Sequence, residues 1–452
     1  MFKALRVMSI LPQVSKIAMP LKILIVGAGC AGPAFAHLLQ KADPKYDITV
    51  IERFPTLRTG GQQLDLKDHG VAIAKCMGVF DEIKAACVHE TGMQLVDKNG
   101  RSLMQFGVNS SSGQGLALTN EYEIMRGDMV KVFYEGSIAE RRKIEEKGKK
   151  EGGLTYKFNT TVTHLDHSEH GATVTFSNGQ KGHYDLIVAA DGQNSRTRRM
   201  AFGDDTNARC FRSMGVQAAY FDIPRIESED SDARIFFASG SRMVMTRTGD
   251  RPITQIYLFL MKNKERHQWM QTVHKQPLEK QKEAWIEIFQ DAGWDCKRFA
   301  EGMKSTEDFY AHEIGQVHMP KLYSGRVVLL GDSGYCDSLF TGMGTTLSLV
   351  GSYILAGELA KHGSDVDAAL QSYHDLMQKP LEKYQRLTGG AETNFYPASE
   401  LGISITNNAL WILSNLKMDK LMQWVGGFLP ERKNDWELPV YPQLSLVCDE
   451  KL

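Results

Sequence analysis

The sequence predicts an α/β fold in which a Rossmann-like, three-layer unit carries an inserted antiparallel sheet and is followed by a C-terminal helix. A glycine-rich turn joins a buried strand to a helix near the N-terminus, and a second such turn occurs late in the chain. Between them, residues 208–262 carry alternating strand patterns with no helix pattern among them. A chain of 452 residues is long enough for two or three packed units.

The amino-acid composition is that of an ordinary globular protein. Hydrophobic residues make up 42% and charged residues 24%, with a net charge of −1, so we expect no nucleic acid partner. The seven cysteines are scattered without a C-x-x-C pair, which predicts no disulfide framework, no metal site and a reducing compartment. No apolar run approaches the roughly 18 residues of a membrane helix. We therefore expect a cytoplasmic protein, and the oligomeric state is left open.

Residues 1–18 contain Lys3, Arg6 and Lys16 and no acidic residue. A mitochondrial transit peptide is one interpretation. The segment is not rich in arginine and serine, which favours a simple extension ahead of Met19.

The first glycine-rich turn has the pattern of a dinucleotide site. Ile23–Val26 is a continuous apolar run, as a strand buried on both faces requires, and a helix is predicted to follow from about Cys30. The glycines of the G-x-G-x-x-G turn are Gly27, Gly29 and Gly32. They let backbone N–H groups and the helix N-terminus approach a pyrophosphate. The next strand ends in Glu52, about twenty residues further on, where a carboxylate can bind a ribose diol. Up to this point the pattern fits NAD and FAD equally.

Two later strands also end in polar turns. The strand of residues 185–190 leads into Asp191-Gly192, and "RVVLL" leads into Gly331-Asp332. After the second turn, "TGMGTT" opens a helix whose N–H groups and positive dipole end can face a ring that becomes anionic. A nicotinamide needs no such partner, whereas reduced flavin carries negative charge at its pyrimidine edge. Because FAD is long enough to reach from the first turn to this one, we predict non-covalently bound FAD.

These motifs resemble those of the class A flavoprotein monooxygenases, the aromatic-hydroxylase family, and most of all its tetracycline-inactivating branch. The resemblance spans roughly residues 21–385 and includes the "GGQQLDL" loop and "DGQNSRTRR". It implies that Asp332 holds the ribityl chain, that Arg126 contacts FAD and that Asp65 lies near the cofactor. It also implies that the Asp191-Gly192 element influences NAD(P)H use. Tyr335 and Leu339 stand where the family often has histidine and proline, which leaves the substrate type open.

Together, the motifs and the resemblance give one set of candidate FAD-binding residues. They are Gly27, Gly29, Ala31, Gly32, Glu52, Arg53, Gln63, Asp65, Arg126, Asp191, Gly192, Asp332, Gly342, Met343, Gly344 and Thr345.

The strands of residues 208–262 are candidates for the substrate side. Alternation places Met243, Met245 and Arg247 on one face, and Tyr257 on a face of the next strand with Phe259 and Met261. Such a sheet over a flavin would form an apolar pocket, although the same residues could equally be plain sheet core. The candidate pocket residues are Gln217, Tyr220, Met243, Met245, Arg247 and Tyr257. No catalytic side chain is predicted with certainty, since the cofactor carries the chemistry.

These motifs predict a discontinuous FAD-binding domain of residues 19–75, 115–205 and 310–385. A substrate-binding sheet domain comprises residues 76–114 and 206–309. Residues 386–452 form a C-terminal helical segment. Its amphipathic helix, with Trp411 and Trp424, is predicted to pack across the FAD-binding and substrate-binding domains.

The predicted activity is that of a single-component FAD-dependent monooxygenase that uses NADPH or NADH and O₂. By the resemblance, a flavin C4a-hydroperoxide transfers one oxygen atom to a hydrophobic, aromatic or polycyclic small molecule of natural-product or xenobiotic metabolism. Two alternatives remain at this point: a flavin reductase or dehydrogenase on the same fold, and a non-catalytic protein that binds FAD or another ligand.

Overall fold

The structure is a computed structural model that describes residues 20–58, 60–107, 122–149, 151–261, 264–337, 341–385, 399–415 and 436–444. The predicted N-terminal extension, Leu339 and Trp424 lie outside the described residues. Within them the chain has the predicted α/β fold, built on mixed sheets.

The strands are β1 (Lys22–Val26), β2 (Asp47–Ile51), β3 (Gln63–Asp65), β4 (Gly92–Val96), β5 (Ser102–Gly107), β6 (Glu123–Met125), β7 (Gly153–Lys157), β8 (Val162–His167), β9 (Ala172–Phe176), β10 (Lys181–Tyr184), β11 (Leu186–Ala189), β12 (Phe211–Pro224), β13 (Asp232–Ala238), β14 (Arg242–Arg247), β15 (Ile253–Leu260), β16 (Phe309–Val317), β17 (Tyr323–Ser324) and β18 (Val327–Leu329).

The helices are α1 (Ala31–Ala42), α2 (His69–Met77), α3 (Phe80–Ala85), α4 (Arg126–Glu146), α5 (Arg196–Phe202), α6 (Asp204–Cys210), α7 (Lys264–Val273), α8 (Leu278–Phe289), α9 (Cys296–Ser305), α10 (Asp332–Tyr335), α11 (Gly344–His362), α12 (Val366–Tyr384) and α13 (Glu400–Asn415). None of these described helices is long and apolar enough to cross a bilayer.

A six-stranded sheet in the order β17-β18-β11-β1-β2-β7 places the three polar turns at one edge. Its central strands are parallel, with Val26 opposite both Ala189 and Ile51, and Ala189 opposite Leu329. Because parallel strands end at the same edge of a sheet, the turns after β1, β11 and β18 lie side by side. Helices α1, α4 and α11 cover one face of the sheet in a continuous apolar core. The three-stranded sheet β10-β9-β8 covers the other face.

The second large sheet has seven strands in the order β16-β12-β15-β14-β13-β4-β5. Strands β12 to β15 pair antiparallel, as their alternation predicts. The sheet as a whole is mixed rather than purely antiparallel, because β4 pairs parallel with β13, with Gly92 opposite Asp232. Strand β4 comes from a distant earlier segment, so its direction is not set by a hairpin. Helices α8 and α9 pack on one face of this sheet, and the opposite face is turned toward the polar turns of the first sheet.

Helix α13 is the described part of the predicted C-terminal helix. It packs against β5 and β13 at one side of the seven-stranded sheet. Leu401, Ile405 and Trp411 remain largely exposed, with Trp411 at 52%. Residues 436–444 return to the first core, where the Tyr441 hydroxyl donates to the Glu358 carboxylate at 2.8 Å.

Candidate cofactor and substrate site

The turn after β1 is packed so closely that only glycine fits at two of its positions. A Cβ on Gly27, whose φ is +111°, would lie 2.5 Å from the carbonyl oxygen of Ala190. A Cβ on Gly32 would lie 2.0 Å from the Gly27 carbonyl oxygen. In front of Gly29, by contrast, only the Arg126 guanidinium comes within reach, at 3.6 Å. The turn is therefore rigid on its protein side and open on the side that Arg126 borders.

Glu52 and the start of α1 complete this turn. One carboxylate oxygen of Glu52 accepts the Ala28 N–H at 2.9 Å, and the other accepts the Phe54 N–H at 3.1 Å. Helix α1 begins at Ala31 without a side-chain cap and without an acidic residue in its first turn. Its first N–H groups thus have no side-chain acceptor, which suits a bound phosphate. Arg53 is exposed, and its guanidinium lies over the Phe54 ring at 4.8 Å.

The turn after β11 is held by its own side chains. The Asp191 carboxylate accepts the Ser195 hydroxyl at 2.5 Å and both the N–H and the hydroxyl of Thr197. Arg198 donates to the carbonyl oxygens of Ser333 at 2.7 Å and Gln193 at 2.9 Å, which ties this turn to the one after β18. Asp191 therefore orders the start of α5. Among the described residues, a Cβ on Gly192 would meet nothing within 4 Å, so the backbone there is open on that side.

The turn after β18 presents Asp332. Gly331 has a φ of +65°, and the Ser333 hydroxyl donates to the Ala189 carbonyl oxygen at 2.5 Å, which fixes the turn against β11. Asp332 is exposed, and desolvation by the surrounding protein raises its pKa while Arg126 opposes the rise. An exposed carboxylate at the end of this strand is accessible to a ligand.

Arg126, the first residue of α4, borders three of the predicted elements. Its guanidinium donates to the Gly60 carbonyl oxygen at 3.2 Å, and its side chain lies 2.9 Å from where a Cβ on Gly61 would stand. The same guanidinium faces Gly29 and acts electrostatically on Asp332. Arg126 thus lies next to the first glycine turn, the "GGQQLDL" loop and the Asp332 carboxylate, and these three elements are close together.

The loop that opens α11 contacts the "GGQQLDL" loop. Gly342 has a φ of +63°, and a Cβ there would lie 3.0 Å from the Asp65 carboxylate and 3.1 Å from the Lys67 ammonium. Asp65 and Lys67 form an ion pair at 2.8 Å. Met343 precedes the helix without a side-chain cap bond, and Thr345 is buried in the first turn.

A buried carboxylate that the sequence analysis missed lies beneath this loop. Asp337 is 2% exposed and accepts the Thr341 hydroxyl. A Cβ on Gly344 would stand 3.2 Å from one Asp337 oxygen. Burial raises the pKa of Asp337 to about 7. The start of α11 therefore already has an acidic partner on its protein side. The signal in the sequence was an aspartate a few residues before a glycine loop and a helix start.

The seven-stranded sheet turns an apolar face toward the space near Asp332. Tyr220, Met243 and Tyr257 are buried on this face, and Met245 on the same face is half-buried. Gln217 is not among them. It lies on the opposite face, where its amide pairs with the His267 ring at 2.9 Å. The structure thus brings four of the six predicted pocket residues together and separates Gln217 from them.

Arg247 and Tyr257 connect the sheet to the cofactor side of the chain. The Arg247 guanidinium donates to both oxygens of Glu90, at 2.9 and 2.6 Å, and to the Glu123 carboxylate. The Tyr257 hydroxyl accepts the Gln63 N–H at 2.7 Å. Burial raises the pKa of Glu123 to about 8, although Arg247 opposes it. Because Arg247 is engaged in this buried ion cluster, its charge is compensated within the protein.

The described residues fit FAD. The uncapped start of α1 and the open backbone at Gly29 suit a pyrophosphate, and Arg126 supplies a cation beside them. The accessible Asp332 carboxylate could accept hydrogen bonds from the hydroxyl groups of a ribityl chain.

Comparison with known proteins identifies the family of the chain. The family described as "FAD binding domain" matches residues 20–383. The chain is 38% identical over 436 residues to the FAD-dependent monooxygenase asL6 of Sarocladium schorii, covering 94% of this chain and 99% of that protein. The crystal structure of tetracycline destructase Tet(55) is 27% identical with a TM-score of 0.69, covering 94% of this chain and 99% of the other. That of Tet(51) is 25% identical with a TM-score of 0.67, covering 92% and 99%. The chain therefore belongs to the FAD-dependent monooxygenases of the aromatic-hydroxylase family, in the neighbourhood of the tetracycline destructases.

Proposed function

We propose that the protein is a single-component monooxygenase that uses NADPH or NADH and O₂ to insert one oxygen atom into a hydrophobic, aromatic or polycyclic small molecule. The observation that carries the proposal is the apolar face of the seven-stranded sheet, whose Tyr310 lies near Asp332. That face has half-buried apolar side chains at Ile235, Phe237 and Met245, whereas the corresponding residues on the helix-covered face are buried. Partly accessible apolar groups inside a protein line a ligand pocket.

In this proposal the cofactor is held along the edge where the three strands end. The turn at Gly27 and the start of α1 bind the pyrophosphate, and Glu52 binds the adenosine ribose. Asp332 binds the ribityl chain, Arg126 contacts the cofactor, and the loop at Gly342 meets the flavin ring. We assign the cofactor to residues 19–75, 115–205 and 310–385, and the substrate to residues 76–114 and 206–309.

The bound FAD would supply the redox chemistry by passing electrons from the nicotinamide to O₂. The chain's own contribution is to exclude water and to orient the substrate. The apolar face of β13 to β15 removes water from the reacting centre. Tyr220 and Tyr257 add hydrogen-bonding groups to this wall, although the Tyr257 hydroxyl is already engaged by Gln63 and Gln255.

The test begins with purified protein and its flavin content. Candidate aromatic and polycyclic compounds are screened for faster NADPH or NADH oxidation under air, and the products are analysed after reaction with isotopically labelled O₂. We expect a compound that accelerates nicotinamide oxidation and carries one labelled oxygen in its product. Substrate reduction or dehydrogenation without label would contradict the proposal, as would flavin binding without any nicotinamide oxidation.

A further inference from the structure

Residues 436–444, called the strap below, pack on α11 in the first core. Tyr441 is 3% exposed, Leu444 is fully buried, and the two residues pair through a short bridge. The Tyr441 ring fills a notch at Gly357, where a Cβ would lie 2.3 Å from its ring carbons. Because even one added methyl group would displace this ring, the surface of α11 is shaped for the strap.

Hydrogen bonds to α11 fix the strap along this surface. The Tyr441 hydroxyl donates to the Glu358 carboxylate at 2.8 Å, and Glu358 is itself buried. The Tyr353 hydroxyl donates to the Pro439 carbonyl oxygen at 3.0 Å, and its ring lies 5.3 Å from that of Tyr441. A hydrogen bond to a buried charge is stronger than one between neutral groups, so Tyr441 is the main polar anchor of the strap.

The other end of the strap is attached to α2. His69, the first residue of that helix, donates through Nε2 to the Trp436 carbonyl oxygen at 2.9 Å. The two rings meet edge to face, with their centres 5.1 Å apart. Trp436 and Leu438 are partly buried against the first core. The strap therefore connects the first turn of α2 to residues 353–358 of α11.

The starts of α2 and α11 also meet at the predicted cofactor loop. The Thr346 hydroxyl donates to the Lys67 carbonyl oxygen at 3.0 Å and accepts the Lys67 N–H at 3.3 Å. A Cβ on Gly70 would lie 2.9 Å from the same hydroxyl oxygen. The Lys67 ammonium pairs with Asp65 beside Gly342. A displacement of α2 relative to α11 is therefore transmitted to the loop that opens α11.

We propose that the strap is an intramolecular ligand that positions the cofactor loop. By holding α2 against α11, it keeps the Asp65–Lys67 pair and Gly342 in the arrangement that binds FAD. The inference rests on the cofactor placement in the proposed function. Tyr441 and His69 are positioning residues in it, since they act through the two helices.

The test measures FAD affinity of the full chain by equilibrium dialysis, without nicotinamide or substrate. Tyr441→Ala should raise the dissociation constant about tenfold, because the apparent affinity falls with the fraction of molecules in which the loop is in place. Tyr441→Phe keeps the ring in the notch and should have a smaller effect. Gly357→Leu fills the notch while the strap sequence is unchanged, and it should act like Tyr441→Ala. Hydrogen exchange at the starts of α2 and α11 should become faster in the two variants that detach the strap.

Rescue by a separate peptide distinguishes positioning from a general loss of stability. A saturating concentration of a synthetic peptide of residues 436–444 should restore FAD affinity in Tyr441→Ala, whose notch is no longer filled. The peptide should not restore it in Gly357→Leu, whose notch is blocked. The same peptide with alanine in place of its tyrosine should restore neither variant.

Two further variants serve as controls. Val440→Ala, at an exposed position of the strap, should leave FAD affinity unchanged. Phe299→Leu, in the core of the seven-stranded sheet, should lower stability and leave FAD affinity unchanged. Full FAD affinity in Tyr441→Ala, an equal loss in Phe299→Leu, or no rescue by the peptide would each overturn the inference. If Glu52→Ala still loses FAD in these cases, the cofactor placement stands and only the role of the strap fails.

Discussion

The hydroxyl of Tyr335 occupies the space that a side chain on Gly351 would need: a Cβ there would lie 1.9 Å from the Tyr335 oxygen and 3.0 Å from its ring carbon. Tyr335 is buried, and its hydroxyl pairs with that of Tyr373 at 3.1 Å. Tyr335 thus reaches across the core to α11. Its position depends on a glycine in that helix.

This contact predicts the outcome of a mutant cycle. Gly351→Ala should lower the free energy of unfolding by about 1–3 kcal/mol, because a well-packed core does not absorb an extra methyl group. Tyr335→Phe alone should cost about 0.5–1.5 kcal/mol, because it loses a hydrogen bond. In the double variant it also removes the oxygen that the methyl group added by Gly351→Ala would clash with, so the two costs together should be smaller than their sum. Denaturant unfolding of all four proteins measures the coupling. Strictly additive costs would show that the helix shifts instead.

Glu52→Ala should weaken FAD binding by about 1.5–3 kcal/mol, because the carboxylate would lose its bonds to the ribose. The variant also frees the Ala28 and Phe54 N–H groups, so the turn itself loses support. Flavin content after purification and calorimetric titration with FAD measure the effect. Asp47→Ala, at the exposed start of the same strand, is the matched control. Full flavin content in Glu52→Ala would show that the ribose is bound elsewhere.

Arg126→Ala and Asp332→Ala should each reduce FAD retention without unfolding the protein. Arg126 holds the Gly60 carbonyl oxygen and faces Gly29, and Asp332 is accessible within the same space. Because the two side chains act on each other electrostatically, the double variant should lose less affinity than the sum of the single losses. Equilibrium dialysis of FAD measures all three affinities. Undiminished affinity in both single variants would exclude this placement.

The turns could be predicted from the sequence because their determinants are local. Glycines at fixed spacing and apolar runs before them specify a strand, a turn and a helix without any distant contact. The period of two residues also separates Gln217 from Tyr220, which lie an odd number of positions apart, and applying it strictly places them on opposite faces. Local patterns therefore predict the turns that support the site. Applied strictly, they would also have excluded Gln217 from the pocket.

The contacts between distant segments could not be predicted in this way. From the sequence pattern alone, Arg247 looks like a pocket residue without a partner. In the folded chain it forms ion pairs with Glu90 and Glu123, which come from two other parts of the sequence. Arg58 lies over Tyr310 only because the loop after β2 packs against the second large sheet. No pattern within either strand or loop specifies which residues of the other sheet it will meet. Electrostatic partners in this site are therefore a property of the fold.

Asp337 should make stability depend on pH between about 4 and about 7. Its pKa rises on folding, so the native state binds a proton that the unfolded state has released, and stability is lost as the pH rises through this range. The side-chain amide of the Asp337→Asn variant cannot ionise, so the stability of this variant relative to the wild type should rise by about 4 kcal/mol across this window. Urea unfolding at several pH values, with flavin content held equal, measures the difference. A difference that stays constant with pH would show that Asp337 ionises normally in the folded protein.

The loop at the start of α11 should set the reduction potential of the flavin. Helix α11 has no side-chain cap, and its N–H groups and positive dipole end would stabilise the anionic reduced ring. Gly344→Val should keep the loop away from the ring and push against Asp337, since even a Cβ would lie 3.2 Å from that carboxylate. The potential should fall by the equivalent of about 0.3–1 kcal/mol or more, because the reduced form loses a favourable dipole. Above about pH 7, where Asp337 is ionised, Asp337→Asn should shift the potential the opposite way, since it removes a negative charge from the same helix end. Redox titration of the bound flavin in the wild type and both variants measures these shifts. Equal potentials in proteins that retain FAD would mean that the loop only turns the chain, and that the ring lies beyond the influence of α11.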